Sequence, residues 1–293
     1  MTPFETIRGA LSESGIDDCA AIPLSAVKIP KKYLLDRFGL SPESACAVMA
    51  VIPYYTPFCE GDRNISAYAV GKAYHLFWKK VCDAVLPGLK VAFPLNTFVG
   101  FTDHSPLAEV NAAACAGLGF VGDNGLLIPP KYASCVFIAS IITDAPCEDG
   151  FPAAIPQTPP TCPHCGACRR ACPTGAIGRD GKDAVCLSAL TQKKGVLSIR
   201  EEELLRESGS VWGCDVCQEV CPFFKKAKKE NTIMTKIPFF YDDPLPCLTQ
   251  EVLDRMEENA AKERAWFWHG RSVPARNAAL IAKNDRPKED RFQ

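Results

Sequence analysis

The chain has 293 residues, 47% of them hydrophobic and 23% charged, with a net charge of −1 at pH 7. This composition excludes a disordered chain, and a pI near 6.4 excludes a uniformly basic nucleic-acid binder while leaving room for a local basic patch. The longest apolar runs, around Ala45–Ile52 and Cys135–Ile142, are too short to span a bilayer, and no secretory or twin-arginine leader is visible, so a cytoplasmic protein is expected, with no membrane partner.

Phe4–Ser14 places Phe4, Ile7, Ala10 and Leu11 on one helical face, with Gly15 as its stop. Cys19–Pro23 reads as a short strand and Tyr33–Phe38 as a short helical segment. Ser44–Ile52, small and β-branched and ended by Pro53, predicts a buried strand. Ile65–Leu86 carries a long helical pattern through Tyr68, Tyr74, Phe77 and Val81. Lys90–Phe93 and Thr97–Phe101 read as extended. Pro106–Ala116 predicts a helix capped by Ser105, with Pro106 in its first turn and Gly117 after its end. Leu126–Ile128 and Val136–Thr143 read as strands.

Mixed strands and helices over residues 1–150 predict an α/β or α+β domain. Cys147–Pro160, rich in Pro, Asp and Gly, reads as a linker. A cysteine-rich module follows over 161–229, with helical patterns at Val185–Leu190 and Ile199–Glu207. The tail, 238–293, has two more, at Leu248–Met256 and Pro274–Lys283.

Eight of the sixteen cysteines fall in that module. Cys162, Cys165, Cys168 and Cys172 form C-x2-C-x2-C-x3-C before Pro173. Cys214, Cys217 and Cys221 precede Pro222, with Cys186 upstream. Closely spaced thiolates wrap one face of an iron–sulfur cube, and the cysteine before Pro ligates the other cluster in two-cluster ferredoxins. That rule gives one [4Fe–4S] cluster to Cys162, Cys165, Cys168 and Cys221, and another to Cys172, Cys186, Cys214 and Cys217. Structural zinc is the alternative, because C-x2-C pairs also bind it. Such clusters move single electrons, and they fit a reducing compartment. The other eight cysteines, Cys19, Cys46, Cys59, Cys82, Cys115, Cys135, Cys147 and Cys247, share no ligand spacing and read as small buried hydrophobes or inert thiols.

The 1–150 segment offers two candidate features. Asp103 precedes a predicted helix, where it is either a carboxylate stabilised by the helix N-terminus or a proton donor. Gly117, Gly119, Gly122 and Asn124 form a Gly-rich stretch, either a backbone passing close to a bulky ligand or a helix end followed by a tight turn. The stretch does not match the dinucleotide fingerprint.

Several segments together resemble the epoxyqueuosine reductase family, cobalamin-dependent iron–sulfur enzymes related to reductive dehalogenases. They are Phe101-Thr-Asp103-His-Ser-Pro106-Leu-Ala-Glu109, Gly117-Leu-Gly119-Phe-Val-Gly122-Asp-Asn124, Cys162 to Pro173, Cys186-Leu-Ser-Ala-Leu-Thr191 and Trp212-Gly-Cys214-Asp-Val-Cys217-Gln-Glu-Val-Cys221-Pro222. Weaker echoes are Ser66-Ala-Tyr68-Ala, Tyr74-His75 and Arg276-Asn277-Ala278-Ala279. The resemblance runs from about residue 5 to residue 282.

It implies an α+β fold: an N-terminal α/β cobalamin-binding-type domain, a two-cluster ferredoxin-like domain and a short helical tail, the last a stub of the helical-repeat region of longer members. It implies two [4Fe–4S] clusters and a cobalamin, with Asp103 as catalytic acid and the Gly-rich stretch as cofactor contact. The implied reaction is reduction of an epoxide to an alkene on a queuosine precursor in tRNA, with electrons from an external low-potential donor. The chain departs from the family pattern at Asp123, where a lysine is expected, and at Ala67 and Val110, where arginines are expected. A monomer is expected. Reduction of another small substrate, or electron transfer to a partner without bond chemistry, are the competing readings. Lys225-Lys226-Ala-Lys228-Lys229 is either a phosphate contact or a solvated surface. Trp266-Phe267-Trp268-His269 is either a stacking platform or a packed helix.

Overall fold

A computed structural model describes residues 2–145, 161–178 and 185–282. The linker expected at Cys147–Pro160 lies outside the described residues. In chain order the first elements are α1 (Pro3–Glu13), β1 (Cys19–Pro23), α2 (Tyr33–Asp36), β2 (Cys46–Pro53), α3 (Tyr74–Ala92), β3 (Phe98–Phe101), α4 (Glu109–Cys115), β4 (Phe120–Val121), β5 (Leu127–Ile128) and β6 (Val136–Thr143). There follow α5 (Ala167–Ala171), α6 (Leu187–Gln192), α7 (Ile199–Ser208), α8 (Val216–Glu219), α9 (Pro222–Lys229), α10 (Gln250–Arg255), α11 (Glu258–Lys262) and α12 (Ser272–Ala282).

These elements group into two compact units whose segments alternate along the chain. The first comprises Met1–Tyr55, Tyr74–Cys165 and Pro222–Pro238. Its centre is a four-stranded sheet of order β1-β2-β6-β3. Every pair is antiparallel, so of the two classes the sequence left open this is α+β. All eight residues of β2 are buried, because its continuous apolar run serves both faces of a covered sheet. One face packs Met49, Val51 and Ile142 with Leu107, Ala112 and Ala113.

Local chemistry sets the helix ends. Thr2 and Glu5 form a reciprocal capping box at α1, and Phe4, Ile7 and Leu11 point inward. The Ile65–Leu86 pattern becomes a helix only from Tyr74, with a single 3-10 turn at Ala67–Ala69 before it. The helix then runs through Pro87 to Ala92, so Lys90–Phe93 is not extended as expected. Its buried residues Phe77, Val81, Val85 and Leu89 recur every fourth position, and that face continues past the proline. α4 likewise begins later than expected. Ser105 Oγ accepts from Leu107 N at 3.2 Å and closes a turn, and the helix proper starts after Ala108.

The second unit comprises Thr56–Ala73, Gly166–Cys221 and Phe239–Gln293. Its described elements are helical, packed around the fully buried Trp212 and Trp266. Asn277 is fully buried, and its Nδ2 donates to Thr191 O at 2.7 Å and Val211 O at 2.9 Å. α12 therefore locks the chain on either side of α7. Among the described residues no helix is long and apolar enough to cross a membrane.

One close approach in the first unit is testable. A Cβ at Gly100 would lie 2.3 Å from Cys82 Sγ. Gly100→Ala should therefore cost about 1–3 kcal/mol of stability by overpacking. Adding Cys82→Ala should recover most of that loss, read as denaturant midpoints of the single and double variants.

Candidate functional site

Asp103 lies between β3 and α4, in the first unit. Two residues at the start of α3 grip it. The Tyr74 hydroxyl donates to Oδ1 in a very short hydrogen bond, and His75 Nε2 stands 3.0 Å from Oδ2. An ionised carboxylate only accepts, so the imidazole donates. The Tyr74 ring is held in turn, stacked on Phe137 of β6 with centroids 4.1 Å apart and tilted against His75 at 4.3 Å. Asp103 itself keeps 70% of its side-chain surface open.

Two carboxyls here are pushed in opposite directions. Surrounding protein raises the Asp103 carboxyl, but the hydrogen bonds from His75 and Tyr74 outweigh it and hold the group below its ordinary value. Glu109, the first residue of α4, is pushed up to about 8, by burial first and the Asp103 charge second. The Lys31 charge and a Ser105 hydrogen bond only partly offset this. Glu109 Oε1 is buried with no hydrogen-bond partner. At neutral pH Asp103 is a carboxylate and Glu109 a neutral acid, a division that assigns different proton roles to the pair. Burial also raises the Tyr74 hydroxyl, with the Asp103 charge adding to it, so it remains a donor.

From sequence, Asp103 was the candidate proton donor; in the structure the carboxyl pushed upward is that of Glu109. Glu109 stood in the same short segment without a role, as did Tyr74-His75. The available signal was the proximity of two carboxyls across one proline turn.

The Gly-rich stretch is used internally. Gly117 ends α4 with φ +83°. A Cβ at Gly119 would sit 2.7 Å from Ile128 O, so only glycine lets β4 pass β5 this closely. Gly122 N donates to Leu126 O, and Asn124 Oδ1 accepts from Leu126 N, which together turn the hairpin. Asp123 pairs with His164 at 2.7 Å and is only 12% exposed. Ligand atoms of Asp123, Cys162 and His164 lie within 4.8 Å of one another. Position 123 thus sets a carboxylate beside a cluster-motif cysteine.

In the second unit, α5, which carries Cys168, packs against α8, which carries Cys217. Gly213 holds φ +74°, and its missing Cβ leaves room for Ser66. Between Cys214 and Cys217 lies Asp215, 7% exposed. It accepts from Arg63, Ser66 Oγ, the Ala67 backbone N–H at 2.7 Å and Gln218 Nε2 at 3.0 Å. Burial pushes the Cys214 thiol up to about 11, with Asp215, Cys186 and Cys172 adding to it. Cys172 and Cys186 therefore both lie near Cys214. None of the described cysteines is in a disulfide. Trp266 is buried, whereas Trp268 is 67% exposed and stacks on His269 at 3.6 Å. His104 is exposed.

Residues 161–223 match the family model described as a 4Fe-4S double cluster binding domain. An epoxyqueuosine reductase of Listeria monocytogenes is 41% identical over 182 residues, 61% of this chain and 46% of that protein. One from Gloeobacter violaceus is 30% identical over 228 residues, 77% of this chain and 69% of that protein. The chain thus spans about half the length of the first and about two thirds of the second. The solved epoxyqueuosine reductase of Streptococcus thermophilus superposes with a TM-score of 0.72 at 21% identity, covering 97% of this chain and 81% of that one. Another, crystallised with an epoxyqueuosine-modified tRNA-Tyr stem loop, gives 0.70 at 24%, covering 96% and 80%. At these identities the superpositions establish a shared fold.

The Glu109 carboxyl makes a stability prediction. Its folded pKa, about 8, lies above the ordinary glutamate value of 4.5. The folded form therefore binds more protons between those values, and its contribution is full below the lower one and is lost as pH rises through the higher. Glu109→Gln should flatten this part of the stability–pH profile and remove a protonated-carboxyl infrared band that is present at pH 7.

Proposed function

The chain belongs to the epoxyqueuosine reductase family, and on that premise we propose that it is a cobalamin-dependent iron–sulfur oxidoreductase that reduces epoxyqueuosine to queuosine in tRNA. Its relatives' name gives the reaction, and a fold neighbour's bound tRNA-Tyr stem loop gives the substrate class. The observation that carries the reading is Asp103, open to an incoming ligand and clamped by Tyr74 and His75, with the Glu109 carboxyl six residues along the chain.

Converting an epoxide to an alkene takes two electrons and two protons and releases the oxygen as water. The cysteines within 161–223 would hold two [4Fe–4S] clusters, which would supply single-electron transfer from an external low-potential donor. Cobalamin, when bound, supplies low-valent cobalt for cleavage of the C–O bond. The protein's own residues handle the protons. Glu109 holds one at neutral pH. Asp103 is open on one side; a substrate covering it would exclude water and raise its carboxyl, so that it takes up a proton from solvent as the site closes. Tyr74 and His75 fix the direction in which it presents the proton.

The ligand sets are Cys162, Cys165, Cys168 and Cys221 for one cluster, and Cys172, Cys186, Cys214 and Cys217 for the other. The nearness of Cys172 and Cys186 to Cys214 supports the second set. The enzyme acts in the cytoplasm as a monomer. A second reading, reduction of another small substrate, draws on Asp123, where a family cation has become a carboxylate engaged by His164.

The deciding experiment is anaerobic reconstitution with iron, sulfide and cobalamin, followed by assay on epoxyqueuosine-containing tRNA. Corrinoid retention with queuosine formation supports the reading; retention without turnover moves it to the second substrate. Asp103→Asn should keep iron, sulfide and corrinoid while turnover falls at least about 100-fold. Cys186→Ala should lose about half the iron, the share of one cluster in two, as read by iron analysis and electron paramagnetic resonance.

A further inference from the structure

Cys221, a cluster-motif cysteine, is bonded to Pro222, which opens α9. The helix reads Pro222-Phe-Phe-Lys-Lys-Ala-Lys-Lys229, with four cations and no acid. Phe224 and Ala227 are buried, and Lys225, Lys226, Lys228 and Lys229 are all exposed. Within the first unit the helix is firmly anchored. Phe224 meets Tyr55 edge-on with centroids 5.8 Å apart, and Phe223 meets Phe120 at 4.9 Å. Just past its end, Thr232 Oγ1 donates to Lys131 O at 2.7 Å. The lysines thus stand on a rigid support.

Cations in a last turn favour the helix dipole, which accounts for one or two lysines but does not call for four. The position of the run is the stronger observation. With a rise of about 1.5 Å per residue, Lys225 lies only about 6 Å along the chain axis from Cys221. A protein that takes electrons from outside must admit them near a cluster. With a net charge of −1 the whole chain does not steer an anion, so a local patch must.

We infer that the lysine face of α9 is the docking surface for an acidic, low-potential electron-carrier protein, which delivers electrons to the cluster that Cys221 ligates. The inference rests on the double-cluster, reductase reading above. In each encounter the carrier is oxidised by one electron and a [4Fe–4S] cluster is reduced by one; no bond forms or breaks.

The test uses the full, reconstituted chain under anaerobic conditions and needs no tRNA turnover. Reduced plant-type ferredoxin, itself acidic, is mixed with wild type, with Lys225→Glu/Lys226→Glu/Lys229→Glu and with the matching triple Gln variant, and bleaching of cluster absorbance is followed. The wild-type second-order rate should fall steeply with salt. The Glu variant should be at least about tenfold slower at low salt and insensitive to it, with the Gln variant between. Reduced methyl viologen, a small cation, should reduce all three without slowing. Equal ferredoxin rates across the three proteins overturn the proposal while leaving the cluster reading intact. Unchanged ferredoxin rates with weakened binding of a tRNA stem loop assign the lysines to nucleic acid and also overturn it. Reconstituted wild type with no cluster absorbance and no bound iron removes the clusters, and the proposal with them.

Discussion

A buried carboxylate must be compensated, and Asp215 is where the second unit meets that requirement. Left unpaired at 7% exposure, it would cost several kcal/mol. Arg63, Ser66, the Ala67 backbone and Gln218 satisfy it. The first three lie about 150 residues upstream, so one side chain joins distant strands of sequence. Around it, Ile65 bridges to Trp212, and Ser66 N donates to Trp212 O at 2.7 Å. Because Asp215 sits between Cys214 and Cys217, the same bonds fix the loop that presents those two thiols. The ligand geometry is thereby set by ordinary protein interactions as well as by whatever the thiols bind.

The first unit uses the opposite strategy. Asp103 is kept charged by two donors and left open on one side, whereas Glu109 is half-buried, with Oε1 enclosed and unpaired. Placing them six residues apart across a proline turn lets one carboxylate raise the other. Tyr74 and His75 supply direction and Glu109 supplies a proton at neutral pH. The stack of Tyr74 on Phe137 ties this arrangement to the central sheet, so the clamp is as rigid as β6.

What could be read from the sequence follows from how local its cause was. Cys19–Pro23 and Val136–Thr143 were legible because continuous apolar runs leave a buried strand little alternative, and their bounds agree with the structure. The cysteine module was legible because cluster spacing is written along the chain. The late start of α3 was not: residues 65–67 look helical, but they are committed to Trp212 and Asp215 far along the sequence. α5, α8 and α9 escaped notice because cysteines, arginines and lysines carry no apolar period. The protonation states of Asp103 and Glu109 were hidden for a different reason. Both are carboxyls in one short segment, and only tertiary contacts distinguish them: hydrogen bonds from Tyr74 and His75 to the one, burial of the other.

The alternation of the two units has a consequence for biogenesis. The first unit needs the segment Pro222–Pro238, and the second needs residues from Phe239 onward. On the ribosome, neither can close until most of the chain has emerged, and the cysteine-rich stretch is exposed before either is complete. Its thiols are then at the mercy of adventitious metals and oxidants, so the cell must either supply iron and sulfide promptly or shield the nascent chain.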